Sequence, residues 1–549
     1  MSAEIVYRTE DMKKGEYQNY YIDSEQERKI IENLKSKSPI LLNGSRGNGK
    51  TLLMRVAEKE LDDKFSIDRI LPIFVSFKES RLVNSEYFTY WMMSKILFAL
   101  RRKLKSHGFS DKSVISNYYD REISNENEST IKKIEEFQKE LEKITKTDNK
   151  RLELLAQEVT EELNLFDDIE YFHGLIEDLS IDNEIDRMVF FFDEACHNFM
   201  PEQQRQFFSF FRDLRSPYIS CKAAVYPGLS YFGTFQAFHD AEVIDINRDV
   251  LDSYYVTNMR KIVEKQIPSQ LYSNLVKQGE LFNSLIFSCS GNPRLLLKSL
   301  SKATENFSKM LNRKTVNEVI KDFYRSDIWT EHTKISNLYP TLAKHIDWGR
   351  LFIEEVVISD TLQKNNSWMS KEDTARSTCY FCIHKDAPAA VKKAIKILEY
   401  SGIVYLHTEA TRVRSNIYDR YALNIGILVA NNPSPYEEVI KIMNILTPKL
   451  YTDYSMNSPK YGDISEVVEN VLSDTMQDEI INNILQQPID KLDITRYQRR
   501  ILKENGIDII KQILEKEESG LKEFRNIGNV RSRQIWSSAY NAFFEYISG

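Results

Sequence analysis

The sequence predicts an α/β fold built on a parallel sheet, and three observations carry that expectation. A glycine-rich loop lies between a short apolar run and a helical pattern at residues 39–54. A second apolar run, Arg187 to Glu194 (RMVFFFDE), ends abruptly in two carboxylates. Between and after them, short apolar runs alternate with helix-period segments, the pattern of repeated strand–loop–helix units with right-handed crossovers.

The first of these stretches is PILLNGSRGNGKTLLM. Its centre, Gly44, Ser45, Arg46, Gly47, Asn48, Gly49, Lys50 and Thr51, fits G-x-x-x-x-G-K-[ST] at every fixed position, with Leu52 following into the helix. Three glycines let the backbone fold around an anion with its N–H groups pointing inward, and the helix adds its positive end. Lys50 is expected to reach the β- and γ-phosphates of ATP, and the Thr51 hydroxyl to help hold Mg²⁺. The alternative is a glycine turn that matches by chance, which both flanks argue against.

Around this centre the chain reads in order as follows. Tyr20 to Lys37 forms an approach segment and one helix, with Ile30, Ile31 and Leu34 on its apolar side. Leu71 to Phe77 (LPIFVSF) is a buried parallel strand, followed by a helix from Ser85 to Leu104. Ser106 to Leu179 is polar and charge-dense, and its apolar positions (Ile134, Phe137, Leu141, Ile144; Leu152, Leu155, Val159) predict a helical hairpin turning near Thr147 to Asn149.

The strand at Arg187 to Glu194 places Asp193 and Glu194 at its C-terminal end, where ligands bind in open α/β sheets. Asp193 is expected to bind Mg²⁺, directly or through water, and Glu194 to polarise the attacking water. Met200 to Arg215 reads as a helix, Tyr218 to Val225 as a strand and Glu242 to Ile246 as another. Tyr226, the polar residue at the end of its strand, is a turn tyrosine or, as the family resemblance given below implies, a γ-phosphate sensor.

Leu251 to Leu311 is helical and contains Ser290-Gly291-Asn292-Pro293-Arg294, a capped helix start with Arg294 in the first turn. From there Arg294 is a sensor for the γ-phosphate or else a surface arginine. Ser367 to Asn424 looks like a winged helix: a helix from Ala387 to Tyr400, then β-rich runs Ile403 to His407 and Ile417 to Leu423 around a turn with Arg412, Arg414 and Asn416. The same segment holds Cys379-x-x-Cys382-x-His384, a weak zinc pattern because it lacks a second ligand pair. Ile489 to Gly549 reads as a helix-hairpin-helix whose turn, Phe524 to Asn529, opens a helix from Val530 to Tyr546. Arg525, Arg531 and Arg533 surround that turn, leaving DNA contact and protein docking equally open.

With these pieces in place the chain resembles the initiator/loader, origin-recognition-like branch of AAA+ ATPases. It also resembles the related STAND signalling ATPases, many of which serve bacterial anti-phage defence. The resemblance covers roughly residues 20 to 430 through GSRGNGKT, FFFDEA, VYPG and SGNPRLLL in order. The tail is similar to the C-terminal domain of the bacterial RNA polymerase α subunit. The resemblance implies an ATPase core over 1–250 with its helical insertion at 106–179, a lid at 251–330, a winged helix at 331–432, a helical linker at 433–488 and a helix-hairpin-helix at 489–549. It also implies Glu194, Lys50 and Arg294 as catalytic residues. In one respect the sequence departs from the family: Tyr226 to Ala241 has no Lys or Arg to serve as a trans-acting finger, and Arg212, Arg215 and Arg248 are not at its place. Such a finger is worth roughly 10³–10⁵ in rate, so slow turnover, suited to a switch, is expected.

Bulk composition sets the outer bounds. A chain of 549 residues with 42% hydrophobic and 28% charged residues is ordinary for a protein with several packed cores. No apolar run reaches the ~18 residues of a membrane span, and the N-terminus lacks the apolar segment of a secretory signal, so a cytoplasmic protein is expected. Five cysteines make no disulfide framework. Net charge is −7, so nucleic acid, DNA before RNA, would be held through local patches. The expected biology is either defence signalling through a separate effector protein or a DNA-binding ATPase of replication, transposition or plasmid handling. A homo-oligomer is compatible with both.

Overall fold

The computed structural model describes residues 5–77, 87–109, 169–466 and 485–539, apart from positions 8, 14, 199, 234, 372–373, 414, 493, 526, 529–530, 533 and 537, together with Glu136 and Lys139. The expected hairpin over 134–159, Arg414, Arg533 and most of the helix expected at 530–546 lie outside the described residues.

The chain is an α/β protein. Strands β1 (Ile40–Asn43), β2 (Ile70–Ser76), β3 (Arg187–Asp193), β4 (Ile219–Val225) and β5 (Glu242–Asp245) form a parallel sheet in the order β2-β3-β4-β1-β5. Helices α1 (Glu25–Lys35), α2 (Lys50–Asp63), α3 (Phe88–Ser106), α4 (Ile169–Asp182) and α5 (Pro201–Asp213) cover it. Alternation along β3 explains why five consecutive apolar residues are needed there. Phe190 and Phe192 enter a core with Trp91 and Phe207 on one face, while Val189 and Phe191 meet Ile31 and Met54 on the other. A strand covered on both faces cannot carry polar residues until its end, and β3 ends on Asp193.

The order of strands has a consequence for the site. β4 lies between β1 and β3, so Tyr226 at its tip falls between the glycine loop after β1 and the carboxylates after β3.

Four helices follow the sheet: α6 (Tyr255–Glu264), α7 (Ser269–Lys277), α8 (Gly279–Ser288) and α9 (Pro293–Ala303). A helical run from Arg313 to Thr333 widens to π geometry over Ile320–Asp327, and a second π segment, Phe352–Val357, continues α10 (Ala343–Leu351). Next come β6 (Tyr380–His384), α11 (Ala389–Tyr400), β7 (Val404–Val413), β8 (Asn416–Leu423) and β9 (Thr452–Tyr454), in a second sheet ordered β7-β8-β6-β9. One continuous buried cluster joins Leu285 and Leu296 of the four helices to Val391 and Leu398 of α11 and to Leu423 and Tyr454 of this sheet. The tail helices α12 (Arg496–Glu504) and α13 (Ile510–Leu521) enclose their own core around Leu502 and Ile513.

The second sheet departs from the sequence reading in two ways. β7 does not stop at His407 but continues to Val413, because β-branched Thr408, Thr411 and Val413 keep pairing with β8 across two register shifts. Arg412 and Asn416 are therefore paired strand residues, opposite Ile417 and Val413, rather than turn residues. The Cys379/Cys382/His384 pattern is β6 itself and its leading residue. Positions three apart in extended chain face opposite sides, and both thiols are buried, with burial pushing Cys382 up to about 11. Among the described residues no group of three or more His, Cys, Asp or Glu is placed to hold a metal ion.

Candidate functional site

The glycine loop is held by its own lysine and by three distant parts of the chain. Lys50 folds back over the loop and its ammonium donates to the carbonyls of Gly44 and Ser45 at 2.6 and 3.1 Å. Asn48 Nδ2 donates to the Ile246 carbonyl just past β5 at 3.1 Å. Asn292, which caps α9 through Leu295 N–H, donates its Nδ2 to the Arg46 carbonyl at 2.8 Å. The Arg46 N–H donates to the Tyr400 carbonyl at the end of α11, 3.0 Å away.

The glycines are required by conformation. Gly47 and Gly49 have φ of +88° and +90°, where only glycine is unstrained. A Cβ on Gly47 would also lie 2.9 Å from Arg294 Cβ, so Arg294 packs directly onto the loop. At Gly44 a Cβ would meet Ile246 Cβ at 3.5 Å, an ordinary van der Waals contact, so conformation demands glycine only at Gly47 and Gly49.

Lys50 is 5% exposed, and its ammonium sits 3.7 Å from the centroid of the Tyr226 ring, in cation–π range. Burial pushes its pKa down to about 7, against the opposing field of Glu194 and Asp193; Arg294 pushes in the same direction as burial. Burial likewise pushes the Tyr226 phenol well above its usual range. Asp193 is buried at 3% exposure beside the end of β2, where Phe77 N–H donates to its carbonyl at 3.1 Å. Glu194, half-buried, has φ +64°. A non-glycine residue held there directly after a buried strand costs of order 1–3 kcal/mol and marks a position fixed by its surroundings.

The residues singled out from the sequence therefore converge: Gly44 to Leu52, Tyr226, the Asp193–Glu194 pair and Arg294 surround one end of the sheet. Thr51 and Leu52 form the first turn of α2, and Leu52 lines an open cleft with an empty volume of about 660 Å³. Tyr7, Ile22, Gly47, Gly49 and Arg294 also line it. Ser45 Oγ and Asn48 Oδ1 are buried in the loop with no hydrogen-bond partner among the described residues. Left-handed glycines, an ammonium, orphaned polar atoms and two adjacent carboxylates make a donor set that fits a phosphate and a hard divalent cation.

Sequence reasoning missed two residues here. Arg248, dismissed as a finger, donates Nη1 to the Asn48 carbonyl at 3.2 Å and is paired with Glu27 of α1. From the sequence alone Tyr400 is only the end of a helix. No local signal reveals either, since their partners lie hundreds of positions away.

No family model matches this chain, and no curated protein does. Among solved structures it is similar to the Aeropyrum pernix ORC1 protein in complex with DNA, at 14% identity and a TM-score of 0.26, over 78% of this chain and 95% of that one. A similarity at that TM-score fixes no shared fold.

Proposed function

We propose that this chain is a Mg²⁺-dependent ATPase of the AAA+/STAND type that works as a slow nucleotide switch. The observation that carries the reading is the convergence on one loop of four separate chain segments: the ends of β3 and β4, the start of α9 and the end of α11. Lys50 binds the β- and γ-phosphates, and Gly44 to Leu52 supply the cradle. Thr51 and Asp193 would hold Mg²⁺, which supplies a Lewis acid for the phosphate oxygens. Glu194 takes the proton of the attacking water. Tyr226, from the strand between loop and carboxylates, and Arg294, from the lid, sense the γ-phosphate. Residues 251–330 are then the lid and 331–432 a winged helix. Repositioning the loop transmits to that unit through Tyr400.

In the finer reading the switch serves anti-phage defence, sensing nucleic acid and signalling to an effector. A second reading, a DNA-binding ATPase of replication or transposition, is favoured by the exposed Arg412 on the β7–β8 hairpin and by Arg500 on α12, which is two-thirds exposed. Steady-state ATP hydrolysis with and without double-stranded DNA, single-stranded DNA and RNA tests both. Stimulation by one nucleic acid supports the DNA or RNA coupling, while Lys50→Ala hydrolysing ATP at the wild-type rate would overturn the ATPase reading.

A further inference from the structure

The guanidinium of Arg248 sits where three units meet. It follows β5 by three residues, lines the cleft beside Gly49 and Arg294, and its side chain is 12% exposed. Nη1 donates both to the Asn48 carbonyl in the glycine loop at 3.2 Å and to the Gly291 carbonyl before α9 at 3.3 Å. Nε and Nη2 both donate to one carboxylate oxygen of Glu27, Nε at 3.2 Å, and Glu27 is itself 7% exposed. The backbones are equally close: a Cβ on Gly291, at φ +84°, would lie 2.6 Å from the Arg248 carbonyl oxygen.

The planar trans peptide gives these contacts a consequence. Pinning the Asn48 carbonyl toward Arg248 turns the Gly49 N–H of the same planar peptide the opposite way, so the guanidinium sets the direction of a loop donor. The same guanidinium holds the turn that carries Arg294, so loop and lid are fixed by one fork of donors. A lysine ammonium gathers its three donors on one atom and lacks the planar fork with which the guanidinium spans these separated acceptors. Glu27 restrains the fork and also offsets its charge.

We propose that Arg248 is a positioning residue that aligns the phosphate loop and the lid for nucleotide, with Glu27 as its electrostatic brake. This rests on the reading of the loop as a nucleotide site. Because the brake acts on charge, removing it and removing the fork shift affinity in opposite directions.

The test is calorimetric titration of the full chain with Mg·ATP, comparing wild type, R248K, E27Q and Lys50→Ala, with melting curves recorded without nucleotide. R248K should weaken binding about tenfold, the scale of one charge-assisted hydrogen bond. E27Q should tighten binding, whereas a purely packing role for the pair predicts that both variants weaken it. If R248K fails to fold, the sign of the E27Q effect decides alone. Wild-type affinity in a folded R248K, or weakening in E27Q, overturns the assignment of Arg248. If those results come with wild-type binding and its loss in Lys50→Ala, only that assignment falls. A wild type that takes no Mg·ATP overturns the nucleotide reading and this proposal together.

Discussion

Two buried lysines stand at opposite ends of the same parallel sheet. Lys50 lies past the C-terminal end of β1, and Lys222 lies in β4 level with Ile40, where β1 begins. Burial pushes both pKa values down to about 7. Both ammoniums are satisfied by backbone carbonyls, Lys222 by those of Ser36 and Ser38 behind α1. Their surroundings differ. Lys222 has Arg187 and Glu242 nearby and closes a helix end together with Ser220 Oγ and Arg187 Nη2. Lys50 has Asp193, Glu194 and Arg294 around it, an aromatic ring beneath it and left-handed glycines beside it. Desolvation alone thus does not mark a functional lysine; the second set of charges and the shaped backbone do.

The sharpest way to break this contrast is to remove each lysine. Lys50→Ala should lower nucleotide affinity by at least about 100-fold, the loss of more than one charge-assisted contact, measured by calorimetry. Lys222→Met should leave nucleotide binding intact and cost about 1–3 kcal/mol of stability in denaturant titration, because the Ser38 carbonyl loses the ammonium and the Ser36 carbonyl keeps only Ser220 Oγ. Loss of nucleotide binding in Lys222→Met would collapse the distinction.

Next in size is the base. Glu194→Gln should keep nucleotide affinity and slow hydrolysis by about 10²–10⁴ in single-turnover assays. Unchanged hydrolysis would remove Glu194 from the site's chemistry.

Titration separates the two lysines by sign. Each is charged in the unfolded chain up to pH 10.5 and loses its proton in the folded chain near pH 7. The unfolded state binds more protons between those values, so stability should rise with pH, by at most about 1.4 kcal/mol per pH unit for each lysine. Phosphate binding favours charged Lys50, so nucleotide affinity should fall across the same window. Lys222→Met should flatten the stability slope and leave the affinity slope unchanged.

A last expected effect concerns the contact between the turn after β4 and α11. Gly228, at φ +70°, leaves a hypothetical Cβ 2.6 Å from the Ile397 backbone nitrogen. Gly228→Ala should cost about 1–3 kcal/mol by overpacking and speed hydrogen exchange near Tyr400, with the Lys50 site preserved. Exchange unchanged at Tyr400 would show that this contact does not seat α11.

Local features were legible in the sequence. GSRGNGKT, the apolar run closing on Asp193–Glu194 and the Asn292-Pro293 helix start each encode their geometry within a few residues, and each forms as read. The missed features are long-range. Glu27 and Arg248 are 221 positions apart and meet only when α1 packs beside the end of β5. β6 was hidden because a buried strand and a cysteine motif share the same residues. The extension of β7 was hidden because its outer half is polar and is held by pairing alone.

The hydrogen bond from Arg46 N–H to the Tyr400 carbonyl sets up a competition. A phosphate oxygen drawing on that N–H and the end of α11 want the same proton, so each weakens the hold of the other. On the proposed reading of the loop as a nucleotide site, linkage makes the effect mutual: whatever pulls α11 and its sheet away from the loop would tighten nucleotide binding by the factor with which nucleotide eases their departure. An effector of the second sheet would thus be measurable at the phosphate loop, and nucleotide at the second sheet, as one and the same coupling constant.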